Sequence, residues 1–126
     1  MSSWLCVGKG CSENEVRRAF GKIGVKPKHV HTLASTTMSS GCVDYAKTVL
    51  NHTAHDFIKG SLKSQIKKIP TVLENVDAVL ALWDASSGLV EEVIDQALQN
   101  EKPIWVVVLD KQFGKMVGVQ FEFDDF

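Results

Sequence analysis

The clearest pattern in the chain is a buried strand, a helix and a second buried strand within residues 77–110. Residues 78–83 and 104–109 are apolar without alternation, which is typical of strands covered on both faces. The apolar positions between them recur at helical spacing: Val90, Val93, Ile94 and Ala97. Two buried strands joined by a helix are expected to be parallel with a right-handed crossover, so the pattern predicts a βαβ unit.

The first third of the chain repeats this alternation. Trp4–Val7 is a short apolar strand, and Ser12 with Glu15 fits a capping box at the start of a helix. The apolar stripe of that helix is Val16, Ala19, Phe20 and Ile23. Gly24 is expected to end the helix, and His29–Ala34 is expected to form a second strand.

The pattern is less regular in the middle and at the end. We expect a helix over Cys42–Leu50, a short third strand over His55–Ile58 and a solvated basic helix or loop over Lys59–Lys68. Pro70–Val76 fits a short helix. Residues 116–123 alternate apolar and polar, which suits an edge strand or an arm packing on a neighbouring subunit. A homodimer is therefore expected.

These elements predict the fold class. The chain is expected to form one α/β domain over residues 1–126, a three-layer Rossmann-like fold. It has a mainly parallel sheet of about five strands and a C-terminal edge strand or arm. With 126 residues, 44% of them hydrophobic and 23% charged, the chain is large enough for a real core and is not disordered.

Composition also excludes several function classes. A net charge of −1 gives no general attraction to nucleic acid, and no apolar run reaches the roughly 20 residues that cross a bilayer. The three cysteines, without a secretory signal, indicate reduced thiols and a cytoplasmic protein. His29 and His31 share a strand face but lack a third ligand, and His52 and His55 are expected to bracket a turn, so no metal site is predicted.

The candidate binding site follows from the predicted sheet. Ligands of open parallel sheets bind beyond the carboxyl ends of the strands, and three loops lie there. They supply glycines, hydroxyls and the start of a helix, which suit an anion such as phosphate. The candidate residues are Gly8, Lys9, Gly10, Ser35, Ser39, Ser40, Gly41, Trp83, Asp84, Ser86, Ser87 and Gly88. The alternatives are that residues 8–10 form only a tight turn and that Ser86 or Ser87 merely caps the helix.

Residues 83–90, Trp-Asp-Ala-Ser-Ser-Gly-Leu-Val, resemble the Trp-Asp-Gly-x-Ser-x-Gly-Thr stretch of compact members of the SLOG (SMF/DprA–LOG) superfamily. Lys102-Pro103 also lies where that superfamily has a Lys-Pro-led strand. The stretch 39–44, Ser-Ser-Gly-Cys-Val-Asp, resembles the superfamily's Gly-Ala-x-Gly-x-Asp loop, which adds Asp44 to the candidate binding residues. The resemblance implies a Rossmann-like domain that binds nucleotides or nucleotide-derived ligands at the carboxyl edge of its sheet.

Three functions are compatible with this sequence. The first is binding of a nucleotide or nucleotide-derived small molecule in a regulatory or sequestering role, with no cofactor. The second is cleavage or transfer of an N-glycosidic bond, because nucleoside deoxyribosyltransferases are similar in outline; Glu91 would be the nucleophile and Asp84 its partner. The third is a phage-type regulatory protein that contacts a host protein through the basic segment or the apolar tail.

Overall fold

A computed structural model of the protein describes residues 3–35, 38, 40–110 and 115–121. Strands and helices alternate along most of this length. The strands are β1 (Ser3–Gly8), β2 (His29–Ala34), β3 (Asn51–Asp56), β4 (Ala78–Trp83), β5 (Ile104–Asp110) and β6 (Lys115–Phe121). The helices are α1 (Glu13–Ile23), α2 (Ser40–Ala46), α3 (Leu62–Glu74) and α4 (Leu89–Gln99). No helix within the described ranges is long and apolar enough to span a membrane.

The six strands form one sheet in the order β3-β2-β1-β4-β5-β6. The first five are parallel and β6 runs antiparallel to β5, so the predicted parallel sheet with a C-terminal edge strand is confirmed. The described part of the tail pairs with its own chain. The strand order reverses between β1 and β4, because the chain moves outward to β3 and then returns beside β1. Such a switch point is where open parallel sheets leave a crevice for a ligand.

Helices cover both faces of the sheet, which gives the predicted three-layer Rossmann-like architecture. Alternate residues of β1 point to opposite faces, as strand geometry requires. Trp4 and Cys6 pack with α1 and α2, whereas Leu5 and Val7 pack with α3 and α4. The central strand β4 is fully buried apart from Trp83, which explains its unbroken apolar run.

The middle of the chain differs from the prediction. Helix α2 is Ser40–Ala46 and not Cys42–Leu50, and the hydroxyl of Thr48 donates a hydrogen bond to the Tyr45 carbonyl just beyond the end of the helix (2.6 Å). The third strand is Asn51–Asp56 and not His55–Ile58, so His52 and His55 lie in a strand and do not bracket a turn. Strand β3 is an edge strand with an exposed face, and its polar sequence concealed it.

Helix α3 replaces the two segments predicted separately for Lys59–Lys68 and Pro70–Val76. Ser61 caps its N-terminus by accepting a hydrogen bond from the Ser64 N–H (3.3 Å). Pro70 lies inside the helix, where it was expected to begin a new one. The first helix was predicted correctly: Ser12 and Glu15 form the reciprocal capping box, and Gly24 ends the helix with a φ of 73°.

All four histidines of the chain lie on the adjacent strands β2 and β3. On the face covered by α3 and α4, the ring of His31 stacks between His29 (4.4 Å between centroids) and His55 (5.1 Å). Nδ1 of His31 and Nε2 of His55 share a hydrogen bond of 2.8 Å. His31 is only 6% exposed and was wrongly expected to be partly exposed. No group of three or more His, Cys, Asp or Glu among the described residues could hold a metal ion.

Candidate functional site

A cavity of about 300 Å³ opens at the carboxyl edge of the sheet, beside the switch point. Its walls come from the loop after β1, the segment from β3 into α3, and the loop from β4 into α4. The lining residues are Lys9, Ile58, Gly60, Leu62, Gln65, Ser86, Ser87, Gly88, Leu89 and Val90. Its volume is at the small end of the roughly 300–1,000 Å³ that is usual for ligand pockets.

The β4–α4 loop is held in shape by its own side chains. The indole Nε1–H of Trp83 donates a hydrogen bond to the Ser86 carbonyl (2.8 Å). The carboxylate of Asp84 accepts hydrogen bonds from the backbone N–H of Ser86 (3.1 Å) and from its hydroxyl. Trp83 and Asp84 thus position the residues that line the cavity, and neither of them is itself among those lining residues.

Gly88 forms the N-cap of α4 with a φ of 141° and provides no side-chain hydrogen bond to the helix. The alternative that Ser86 or Ser87 caps this helix is therefore wrong. The first amides of an α-helix have no partner within the helix, and the helix dipole makes that end partly positive. Gly88, Leu89 and Val90 bring this end to the cavity wall, with the exposed Lys9 on the same cavity. This part of the cavity has the chemistry of an anion site.

Ala85 has a left-handed backbone conformation, with a φ of 66°. A side chain in this conformation costs about 1–2 kcal/mol. Glycine avoids this cost, but its larger loss of entropy on folding cancels part of the gain. We therefore expect Ala85→Gly to raise the free energy of unfolding by about 0.5–1 kcal/mol, measured by urea denaturation. Ala54→Gly in strand β3 is the matched control and should lower the same quantity. Equal losses for both variants would contradict this prediction.

Two candidate glycines serve packing within the protein. A Cβ on Gly8 would lie 2.6 Å from the Cys11 sulfur and 3.3 Å from that of Cys42. A Cβ on Gly41 would lie 2.4 Å from the Cys11 carbonyl oxygen. These close approaches hold the start of α2 against the β1–α1 loop. The sequence placed both glycines among the candidate binding residues, but the space beside each position is occupied by atoms of the chain itself.

The cysteines lie together behind this loop. The sulfurs of Cys11 and Cys42 are 3.8 Å apart, and both residues are buried. The contact with Cys11 lowers the pKa of the Cys42 thiol, but the hydrogen bond to Cys6 and burial outweigh it and raise that pKa well above the usual value. Cys42 therefore stays protonated at neutral pH, which makes it a poor nucleophile.

The remaining candidates lie elsewhere on the carboxyl side of the sheet. Gly10 is exposed in its loop, Ser40 and Asp44 are exposed on α2, and Ser35 is partly buried after β2. Glu91 is partly buried in the first turn of α4, one residue beyond the cavity lining. Ser39 lies outside the described residues. Of the predicted set, the cavity thus gathers Lys9, Ser86, Ser87 and Gly88.

One wall of the cavity was not predicted from the sequence; it is formed by Ile58, Gly60, Leu62 and Gln65. Ile58 was assigned to the predicted third strand, and Gly60, Leu62 and Gln65 were assigned to a solvated basic segment. Ser61 as an N-cap, followed by apolar residues at helical spacing, was the signal that could have located the start of α3 there. Ile58 is 58% exposed and Leu62 is 47% exposed, so these two residues give the wall an apolar part that is open to solvent.

No family model matches the chain, and a search of curated proteins finds no match.

Proposed function

We propose that the protein binds a nucleotide or nucleotide-derived ligand in the cavity at the carboxyl edge of its sheet, in a regulatory or sequestering role. The observation that carries this proposal is that Lys9, two serines and the start of α4, which no side chain caps, all line the same cavity. Backbone amides, hydroxyls and an ammonium group are the donors that phosphate requires. Ile58 and Leu62, which also line the cavity, offer apolar surface for a base or sugar.

The position in the fold supports the same proposal. The cavity lies beside the switch point between β1 and β4, where doubly wound sheets bind nucleotides. The likeness of residues 83–90 to the SLOG motif points in the same direction, since Trp83 and Asp84 support the loop that lines the cavity. Neither Glu91 nor Asp84 belongs to the lining, which favours binding over the N-glycosidic chemistry considered from the sequence.

A ligand panel tests this proposal. We expect at least one nucleoside monophosphate, nucleoside triphosphate or cyclic nucleotide to raise the melting temperature of the protein, because ligand binding stabilises the native state. Lys9→Ala should weaken the binding of that ligand by roughly 10-fold, measured by calorimetry, because it removes a charged donor to phosphate. Added salt should weaken binding to the wild type more than to the variant.

The matched control is Lys28→Ala. Lys28 is also exposed, but it lies directly before β2, at the opposite edge of the sheet. Its removal changes the net charge equally and should leave affinity unchanged. If no nucleotide raises the melting temperature, or if both variants lose affinity equally, the proposal is wrong.

A further inference from the structure

Gln65 is the one lining residue whose side chain is polar, uncharged and almost fully enclosed. It is the fourth residue of α3 and is 7% exposed. Its backbone N–H donates to the Ser61 carbonyl (3.0 Å), which fixes it within the first turn of the helix. Burial of a glutamine side chain is costly unless its amide group forms hydrogen bonds, so the partners of this amide matter.

The amide of Gln65 has a defined orientation. Its Nε2 donates a hydrogen bond to the Phe57 carbonyl, so the nitrogen faces the backbone that leads from β3 into α3. The oxygen, Oε1, then faces away from Phe57. Among the described residues, no donor forms a hydrogen bond with Oε1.

We infer that this oxygen is accessible from the cavity. No buried side-chain nitrogen or oxygen in the described part of the chain lacks a hydrogen-bond partner. Oε1, which has none, is therefore reached by solvent, and the open space that Gln65 borders is the cavity itself. A neutral acceptor in an otherwise enclosed position favours a ligand that brings an N–H or O–H donor.

The two polar parts of the cavity thus prefer different groups. The start of α4 with Lys9 attracts an anion, whereas Oε1 repels an anion and accepts from a neutral donor. Apolar surface from Ile58 and Leu62 completes the wall that carries Gln65. A nucleoside monophosphate has this distribution of groups: a phosphate, an apolar ring face and neutral donors on the base and sugar. The small volume of the cavity also favours a mononucleotide over a dinucleotide.

We propose that Gln65 determines the specificity of the cavity by accepting, through Oε1, a hydrogen bond from a neutral donor of a bound nucleoside monophosphate. This inference rests on the proposed nucleotide function and adds the class of nucleotide to it. The donor is either an exocyclic amino group of the base or a ribose hydroxyl. Both present the same chemistry to Oε1, and ligand analogues separate them.

The experiment measures affinity by calorimetry for three ligands: adenosine 5′-monophosphate, its 2′-deoxy analogue, and purine riboside 5′-monophosphate, which lacks the amino group. Wild-type protein should bind one of the two analogues roughly 3- to 10-fold more weakly than the parent, because one hydrogen bond is lost. Gln65→Met has a side chain of similar length without an acceptor oxygen. It should bind the parent as weakly as that analogue and should show no further loss with the analogue itself.

The outcomes separate the two proposals. If wild-type protein binds all three ligands equally, Gln65 is not a specificity residue, although nucleotide binding stands. If Gln65→Met weakens all three ligands by the same factor, its role is structural, and this inference is again overturned. If no nucleotide binds at all, the proposed function fails and this inference with it. The comparison of analogues on wild-type protein remains decisive even if the variant does not fold.

Discussion

Replacing Gly41 with alanine should lower the free energy of unfolding by about 3 kcal/mol. Gly41 is buried in the first turn of α2, and an added Cβ would lie 2.4 Å from the Cys11 carbonyl oxygen and 2.6 Å from the Ser12 carbonyl carbon. These are backbone atoms at the start of α1, so the clash can be relieved only by moving one helix relative to the other. Urea denaturation measures the loss.

Gly21→Ala is the matched control for this substitution. Gly21 lies within α1, and nothing is found within 4 Å of the position that its Cβ would take. Alanine is a better helix former than glycine, so this variant should gain about 0.5–1 kcal/mol. Opposite signs for the two variants are expected. A Gly41→Ala protein as stable as the wild type would show that α1 and α2 are not held at the distance described.

Acid should destabilise the protein through His31. Burial is the main cause that lowers the pKa of His31 from 6.5 to about 4, and the neighbouring His29, His55 and His52 add to it. Between these two pH values the unfolded chain binds a proton that the native protein does not bind. The stabilising effect of neutral His31 is therefore complete above pH 6.5 and is lost as the pH falls to 4.

The size of this loss follows from the shift. This lowering of the His31 pKa corresponds to a loss of about 3 kcal/mol in the free energy of unfolding at pH 4. We expect about 2 kcal/mol, because solvent reaches the edge of the stacked histidine rings. His31→Leu should abolish that part of the pH dependence, measured as the difference in unfolding free energy between pH 7 and pH 4. The shared hydrogen bond with His55 adds to the effect, because protonating both rings would leave it without an acceptor.

His52→Gln is the control. His52 lies on the same strand as His55, but its Nε2 shares a hydrogen bond with the Thr32 hydroxyl (2.9 Å) and its ring is not part of the histidine stack. Burial lowers the pKa of His52 as well, yet His52 is more exposed than His31, so its replacement should alter the acid response less. An unchanged pH dependence in His31→Leu would contradict the prediction.

How much of this molecule could be predicted depends on how strongly each segment is buried. Strands β1, β4 and β5 are covered on both faces, so their apolar runs were visible in the sequence. Strand β3 is exposed along its edge, and its polar residues gave no such signal. Pro70 inside α3 divided one helix into two apparent segments, because proline usually marks a helix start or end.

The site was predicted in part for the same reason. Loops after buried strands can be recognised from the strands, which is how Lys9 and residues 86–88 were found. The wall formed by Ile58 and Gln65 follows the third strand, whose bounds were predicted wrongly, and it was missed for that reason. The packing role of Gly8 and Gly41 depends on distances between segments far apart in the sequence, and these distances are fixed only when the chain has folded.

The central position of β1 has a consequence for protein synthesis. Trp4 is synthesised well before Ala78, which pairs beside it on β4. Until then one edge of an apolar strand has no neighbour, and such edges are prone to aggregation. The pairing of β1 with β4 can therefore form only after β4 has been translated, which delays closure of the centre of the sheet.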